Sequence, residues 1–315
     1  MNAILRIAAA RLSQAVLVAV VIGIISFVMM QALPGDSAYR VAAGRYGYDV
    51  MDAQAAEAVR EELGLDRPLP AQLSQWLLQL ASLNLGVSLI SGNPVWEEVA
   101  AQLGASLQLA LAAVAVSLLF AIPLGLWAGR RADSALDRTI LAVSIVLRSI
   151  PAFAIGVVLM LFFAVHLKLV PVAGYGELHH FFLPALALGL SLAAVSNRVI
   201  RDSVASASIS PWYRFSRTKG LSDAETIRRH MARNVAAPVV AYIGVQLAFL
   251  IEGVVIIESV FAWPGIGHAL VHAIFERDVP MVQGTALALG LMFVALSFVI
   301  DLICRLIDPR DVTTG

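Results

Sequence analysis

Long apolar runs separated by short polar segments dominate the pattern of this chain. A helix needs about 20 mostly apolar residues to cross the hydrocarbon core of a bilayer, and about six stretches reach that length. They run approximately from Leu12 to Leu33, Ala105 to Ala128, Thr139 to Val165, Phe181 to Val199, Ala236 to Phe261 and Met281 to Leu306. The pattern therefore predicts an all-α integral membrane protein with about six transmembrane helices.

Two segments between the predicted spans are too long to be simple connections. The first follows the first span and contains helical patterns at about Asp52 to Leu63 and Pro70 to Leu83, with Gly64 as a stop signal. The second lies between the fourth and fifth spans. The predicted divisions are an N-terminal segment with the first span (1–33), a large loop (34–104), a five-helix core (105–310) containing a loop at 200–235, and a tail (311–315).

Composition and charge exclude several classes of protein. Hydrophobic residues make up 59% of the 315 residues and charged residues only 14%, whereas a soluble domain usually carries about 25% charged residues. The formal net charge is zero, so no bulk attraction to nucleic acid is expected. Cys304 is the one cysteine of the chain, which excludes internal disulfides and cysteine-based metal sites.

The distribution of Arg and Lys predicts the orientation, because cytoplasmic segments of membrane proteins carry an excess of both residues. Most of the 22 Arg and Lys residues fall on one side if the N-terminus is cytoplasmic, and they are dense in the loop at 200–235. Both termini and that loop are therefore predicted to be cytoplasmic, and the loop at 34–104 extracytoplasmic.

The cytoplasmic loop has the sequence signals of two short helices. Ser210 followed by Pro211 is typical of a helix start, because serine caps the helix and the N–H that proline lacks would have no partner there. Gly220 can adopt the left-handed conformation that ends a helix. Ser222 and Glu225 have the spacing of a capping box and open a second predicted helix over residues 223–234.

Three interpretations of this loop stay open on these signals alone. A positive loop that only enforces topology would not need two capped helices. A DNA-binding helix-turn-helix fits the glycine superficially, but a membrane-tethered reader would have nothing else to position it. A docking element for a cytoplasmic partner gives both helices a role.

Residues 213–240 contain an R-x-K-G-L sequence, then R-H-x-x-R-N, then a proline. The residues concerned are Arg217, Lys219, Gly220, Leu221, Arg229, His230, Arg233, Asn234 and Pro238. In this order they resemble the cytoplasmic coupling loop of binding-protein-dependent ABC importer permeases, more narrowly the dipeptide, oligopeptide and nickel branch. Arg214, Phe215 and Ser216 stand where the general signature of the wider superfamily has Glu-Ala-Ala, and this departure also fits that branch.

Further motifs extend the resemblance over most of the chain. LPGD, LGLDRPL and NLGVS are similar to the family's outer loop, SIPAF to its third span, and two later segments to its last spans and tail. These motifs occupy Leu33–Asp36, Leu63–Leu69, Asn84–Ser88, Ser149–Phe153, Ile256–Gly284 and Ile307–Arg310.

The resemblance implies a permease subunit that carries short peptides or a nickel chelate across the bacterial inner membrane and is not itself an enzyme. The implied partners are a second homologous permease, two ATPase subunits and an extracytoplasmic substrate-binding protein. The chain would hold no cofactor, because ATP and Mg would be bound by the ATPase subunits. The implied ATPase-coupling residues are Tyr213, Arg214, Arg217, Lys219, Gly220, Leu221 and Glu225.

The lysines agree with this division of roles. Lys168 and Lys219 are the only lysines, and neither stands in the Gly-Lys-Ser or Gly-Lys-Thr sequence of a phosphate-binding loop. ATP binding through that motif is therefore not expected in this chain.

Charged residues within the predicted spans are candidates for the translocation path. Charges at membrane depth usually face a cavity or each other, and the candidates here are Arg148, Glu252 and Glu258. A buried ion pair without substrate contact is the alternative interpretation.

Most of the histidines fall near the predicted outer face: His166, His179, His180, His268 and His272. His268 and His272 would be one turn apart on a helix and are therefore candidate metal ligands. Ordinary interfacial polar residues are the alternative.

Two other functions fit less well. An intramembrane hydrolase would need a histidine at the depth of Ser149 or Ser191, yet the histidines cluster near the outer edge or in the cytoplasmic loop. An ion-coupled carrier would have no need of two capped helices on its inner face.

Overall fold

The computed structural model describes residues 2–32, 35, 36, 38, 39, 42, 46, 53–63, 66–82, 84–226, 232–276 and 278–307. Within these ranges the chain is helical, and β-pairing is limited to an isolated bridge between Val87 and Pro94. The predicted all-α fold is confirmed. The helices are α1 (Asn2–Ala32), α2 (Ala53–Leu63), α3 (Leu69–Ala81), α4 (Val95–Arg130), α5 (Ala135–Ser149), α6 (Ala152–Leu159), α7 (Leu178–Ser208), α8 (Pro211–Thr218), α9 (Asp223–Thr226), α10 (Ala232–Val260), α11 (Ile266–Phe275) and α12 (Val279–Ile307).

Four helices in the described part of the chain are long and apolar enough to cross a membrane, or five if α5 and α6 together form one broken span. The four are α1, α4, α7 and α12, which match the first, second, fourth and sixth predicted spans. The fifth predicted span corresponds to α10, whose 29 residues extend about 43 Å at 1.5 Å per residue. The orientation of the termini stays a prediction, as do the divisions at residues 33, 104 and 310.

The third predicted span is not the single helix expected from Thr139 to Val165. The chain bends by 97° between α5 and α6. Pro151 disfavours a helical conformation at the residue before it, and Ile150 is extended, with φ −94° and ψ 126°. After α6 the helix widens into a π-helix at Met160–His166.

The second helix predicted in the inner loop also differs from the expectation. Only Asp223–Thr226 forms a separate short helix, while Ala232 to Asn234 already belong to α10. Residues 227–231 of that predicted helix lie outside the described residues. Extending an existing helix costs less free energy than nucleating a new one. α10, formed by the apolar residues after Asn234, therefore extends back to Ala232.

Close contacts divide the chain into two compact units, residues 1–105 with 264–295 and residues 106–263 with 296–315. In the first unit, α3 packs against α1. The Trp76 indole Nε1 donates a hydrogen bond of 3.1 Å to the backbone oxygen of Gly23. A Cβ at Gly23 would lie 2.9 Å from Leu80 Cδ2, so glycine permits this close approach.

In the first unit, a single arginine contacts two motifs of the predicted outer loop. α2 and α3 confirm the two helical patterns predicted there, although Gly64 between them lies outside the described residues. Arg60 on α2 pairs with Asp36 of the LPGD motif and lies 3.7 Å from Asp66 of the LGLDRPL motif. Asp36 is the main cause that raises the pKa of the Arg60 guanidinium.

In the second unit, α7 packs against α4, α5, α6 and α10. A Cβ at Gly189 of α7 would lie 2.5 Å from Val116 Cγ1, and a Cβ at Gly125 of α4 would lie 2.7 Å from Ile200. Small residues of this kind let membrane helices approach closely. The helix pair α4–α7 is therefore fixed by the absence of side chains at these glycines.

Buried polar side chains also link the helices of the second unit. The Gln246 amide on α10 donates to Ser196 Oγ at 2.9 Å, and Ser117 Oγ on α4 lies 3.4 Å from the same oxygen. The Asn197 amide donates to Ser144 Oγ on α5 at 2.9 Å. In an apolar surrounding such groups need partners, so α7 is held by hydrogen bonds to three neighbouring helices.

Candidate functional site

The loop that is predicted to be cytoplasmic forms a bend, which we call the inner elbow (residues 210–226). Its first helix, α8, begins as predicted: Ser210 Oγ accepts a hydrogen bond from the Tyr213 backbone N–H at 3.4 Å, and Pro211 occupies the first turn. The Ser210 hydroxyl also donates to the Ala207 carbonyl at the end of α7. The same serine thus closes α7 and opens α8.

Gly220 ends α8 as its position in the sequence predicts. Its φ of +83° lies in the left-handed region that glycine adopts without strain. The Leu221 N–H donates to the Ser216 carbonyl at 3.3 Å, and the Arg217 guanidinium donates to the Leu221 carbonyl at 2.7 Å. These bonds hold the chain in its turn around Gly220.

The predicted capping box follows directly after the turn. The Glu225 N–H donates to Ser222 Oγ at 3.3 Å, and the Ser222 N–H donates to the Glu225 carboxylate at 3.4 Å. Glu225 therefore has a structural role in opening α9. Arg229 and His230 lie outside the described residues.

The inner elbow has a buried face and an exposed face. Ser216 is buried, and Trp212 and Tyr213 pack against an apolar cluster that includes Ile200 and Val204 of α7. Tyr213 therefore attaches the elbow to the second unit.

The exposed face of α8 carries a compact cationic and aromatic surface. Its residues are Arg214, Phe215, Arg217 and Lys219. The Lys219 ammonium lies 4.5 Å from the centre of the Phe215 ring, within the range of a cation–π interaction. Phe215 is 60% exposed, and aromatic and arginine side chains are enriched where proteins contact one another.

An ion pair joins α5 to α7. The Arg201 guanidinium donates from Nε and Nη2 to the Asp137 carboxylate, with both Nε–oxygen distances at 3.1 Å. The side chains are 15% and 7% exposed. Asp137 also accepts a hydrogen bond of 2.9 Å from the Asp133 backbone N–H.

In the sequence, Arg201 is one of the basic residues at 200–235, and its pairing with Asp137 is not predicted. The available signal was an acidic residue at the start of one apolar run and an arginine at the end of another. That signal does not reveal which arginine and which carboxylate meet, because the contact depends on how α5 and α7 pack.

The predicted path residues do not form a visible group. Arg148 is exposed in the last turn of α5. Glu258 is fully buried, and its carboxylate accepts a hydrogen bond from Ser106 Oγ. The side chain of Glu252 lies outside the description. Their role in translocation stays a prediction.

The His268 and His272 side chains meet as the helical spacing predicts. Both lie on α11, and their ring centroids are 4.4 Å apart. The role of this pair as metal ligands stays a prediction.

Comparison with protein families identifies two matching models. The binding-protein-dependent transport system inner membrane component matches residues 121–311. The N-terminal membrane component of binding-protein-dependent transport systems matches residues 4–112. The inner elbow, α5, α7 and α10 all fall within the first match.

Curated relatives match over nearly the whole chain. A putative peptide transport system permease protein of Brucella abortus (strain 2308) is 35% identical over an alignment of 308 positions, which covers 95% of this chain and 96% of the relative. A glutathione transport system permease protein of Pectobacterium atrosepticum is 34% identical over 289 residues, covering 92% and 93% of the two chains.

Solved structures with a similar fold include two crystal forms of the MetNI methionine ABC transporter in inward-facing conformations. The matched chains are 19% identical to this one, with TM-scores of 0.54 and 0.55. Each match covers 68% of this chain and 98% of the other. At this identity the likeness concerns the fold alone.

Proposed function

Since this chain belongs to the family of binding-protein-dependent transport system inner membrane components, we propose that its inner elbow is the surface through which a separate ATPase subunit drives transport. The chain is a multi-pass inner-membrane permease subunit of an ABC importer. The hydrolysis of ATP, with its Mg, would take place in the partner subunit.

Short peptides are the proposed substrates. Relatives covering more than nine tenths of the chain are named as peptide and glutathione permeases, and glutathione is itself a small peptide. The proposed assembly contains a second homologous permease, two ATPase subunits and an extracytoplasmic binding protein that delivers the substrate.

The observation that carries the proposal is the fixed, two-faced geometry of the elbow. Its buried face is joined to α7 through Tyr213 and the Ser210 cap. Its exposed face presents Phe215, Arg217 and Lys219 outward. A force applied to the exposed face therefore acts on α7 directly, because only Ile209 and Ser210 lie between α7 and α8.

The test compares elbow variants with a matched control in the co-expressed importer. Phe215→Ala removes an aromatic side chain that is 60% exposed, and Arg214→Glu reverses an exposed charge next to it in the sequence. Arg131→Glu is the control, because Arg131 is also exposed and is predicted to lie on the same side of the membrane. The measurements are the amount of ATPase that purifies with the chain and the uptake of a labelled tripeptide.

Both elbow variants are expected to lower ATPase retention and uptake at least about tenfold, which corresponds to about 1.4 kcal/mol of binding free energy. Arg131→Glu is expected to leave both near the unaltered level. Unchanged retention in Phe215→Ala and Arg214→Glu would refute the docking role. Uptake that persists without any ATPase would favour the ion-coupled carrier instead.

A further inference from the structure

Three potential metal ligands meet at the start of α7. One ligand atom each from Glu177, His179 and His180 lies within 4.8 Å of the other two. The His179 Nε2 atom is already 2.8 Å from a carboxylate oxygen of Glu177, and the two imidazole rings are 4.6 Å apart. These distances bring two nitrogens and one oxygen to one place on the surface.

The local backbone holds this arrangement in place. Glu177 is the N-cap residue of α7, and the His180 Nδ1 atom accepts a hydrogen bond of 3.3 Å from the Glu177 backbone N–H. In the neutral ring this bond places the proton on Nε2, so an ion that binds at Nε2 would move that proton to Nδ1 and replace the bond from Glu177. A Cβ at Gly174 would lie 2.7 Å from this Nε2, so the glycine keeps the nitrogen uncovered on that side.

The donor set indicates which cations would bind. Imidazole nitrogens suit zinc, copper and nickel, whereas magnesium and calcium prefer oxygen ligands throughout. Ligand atoms around a tetrahedral zinc, with bonds of about 2.0–2.1 Å, lie about 3.3 Å apart. Small side-chain rotations would bring the three atoms to that spacing and leave a fourth position for water or a substrate group.

The neighbours of the cluster give binding a structural consequence. Tyr175 and Phe181 flank the three ligands in sequence, and both rings pack edge-on against the fully buried Trp263, at 4.8 and 4.5 Å. The Gly174 N–H donates to the Phe261 carbonyl at 3.1 Å. The segment that carries the ligands is therefore attached to the end of α10.

We propose that Glu177, His179 and His180 form a binding site for a divalent transition-metal ion such as Zn²⁺, which would fasten residues 174–181 against the end of α10. The site differs from the His268–His272 pair, which offers two imidazoles on another helix. The proposal does not depend on the role of the inner elbow.

The test is equilibrium binding of Zn²⁺ and Co²⁺ to the full chain, purified in detergent with a tag that contains no histidine. The visible spectrum of bound Co²⁺ reports the number and kind of its ligands. His179→Ala is the main variant, because the His179 side chain takes no part in the α7 cap and its loss is expected to leave the fold intact. Glu177→Gln and His180→Gln test the other two ligands, and His272→Ala is the matched control on α11.

We expect one equivalent of ion whose dissociation constant rises at least about tenfold in His179→Ala, since even an outer partner of a metal ligand contributes about 10- to 100-fold. Hydrogen exchange over residues 174–181 should slow on Zn²⁺ addition in the unaltered chain and in His272→Ala, but not in His179→Ala. Equal binding by His179→Ala and the unaltered chain would overturn the proposal, as would binding that His272→Ala abolishes. Loss of binding in His179→Ala without slower exchange in the unaltered chain would overturn the proposed fastening.

Discussion

Removing one partner of the ion pair between Arg201 and Asp137 should destabilise the contact between α5 and α7. The informative change is Arg201→Met, which keeps most of the side-chain volume but leaves the Asp137 carboxylate buried. Of the contacts described for that carboxylate, the hydrogen bond from the Asp133 N–H would remain. Arg201→Lys keeps the positive charge but loses the two-pronged contact.

The expected magnitude follows from the burial of the two side chains. Removing one partner of a buried ion pair costs about 3–5 kcal/mol. Arg201 retains 15% exposure and Asp137 only 7%, so the carboxylate that stays behind has little access to water. We expect about 3 kcal/mol for Arg201→Met and about half of that for Arg201→Lys.

The assay is a double-mutant cycle on unfolding in mixed detergent and SDS micelles, followed by tryptophan fluorescence. Asp137→Asn is the second single variant, and Arg201→Met combined with Asp137→Asn closes the cycle. Because the double variant leaves no unpaired buried charge, it should be less destabilised than the sum of the single variants by at least about 1 kcal/mol. Additive effects, or an Arg201→Met variant as stable as the unaltered chain, would refute this account of the pair.

Two further predictions concern single residues in each unit. Gly189→Ala should destabilise the chain by about 1–3 kcal/mol, because the new Cβ would lie 2.5 Å from Val116 Cγ1. Gly104→Ala is the control in the same unfolding assay, because a Cβ at Gly104 would meet no atom within 4 Å. Burial, and to a lesser extent His272, lowers the pKa of His268 in the folded chain. The unfolded chain therefore binds more protons, and the free energy of unfolding should fall as the pH drops below about 6.5. Hydrogen exchange of α11 at pH 7.5 and 5.5 measures this loss, and His268→Gln should remove it.

The helices themselves could be predicted because their signals are local. Apolar runs located α1, α4, α7 and α12, and the polar outer loop still showed α2 and α3. The inner elbow was predicted in most detail, since Ser210, Pro211, Gly220 and the capping box each act on the backbone within a few residues.

The break in the third span shows where local reasoning was incomplete. Pro151 was visible in the sequence, but proline is common in membrane helices and often only bends them. A bend of 97° requires that the freed backbone groups find other partners, and this depends on the surrounding helices.

The contacts between helices could not be predicted at all. Ser117, Ser144, Ser196 and Gln246 are polar residues scattered over four apolar runs, and no spacing rule connects them. The same holds for Asp137 and Arg201, which are 64 positions apart. Which helix faces which is decided by close packing at glycines such as Gly125 and Gly189, whose effect appears only in three dimensions.

α7 joins the features that matter most for the proposed activity. Its 31 residues form a rod of about 46 Å, with the proposed metal ligands at its start and Ser210 directly after its end. Ser196, Asn197 and Arg201 fix it to three neighbouring helices along the way. A displacement of the elbow must therefore either move α7 together with those neighbours or break hydrogen bonds that have no replacement in an apolar surrounding. Breaking those hydrogen bonds would cost several kcal/mol of free energy. A force on the elbow is therefore expected to move α7 and its neighbouring helices as a group.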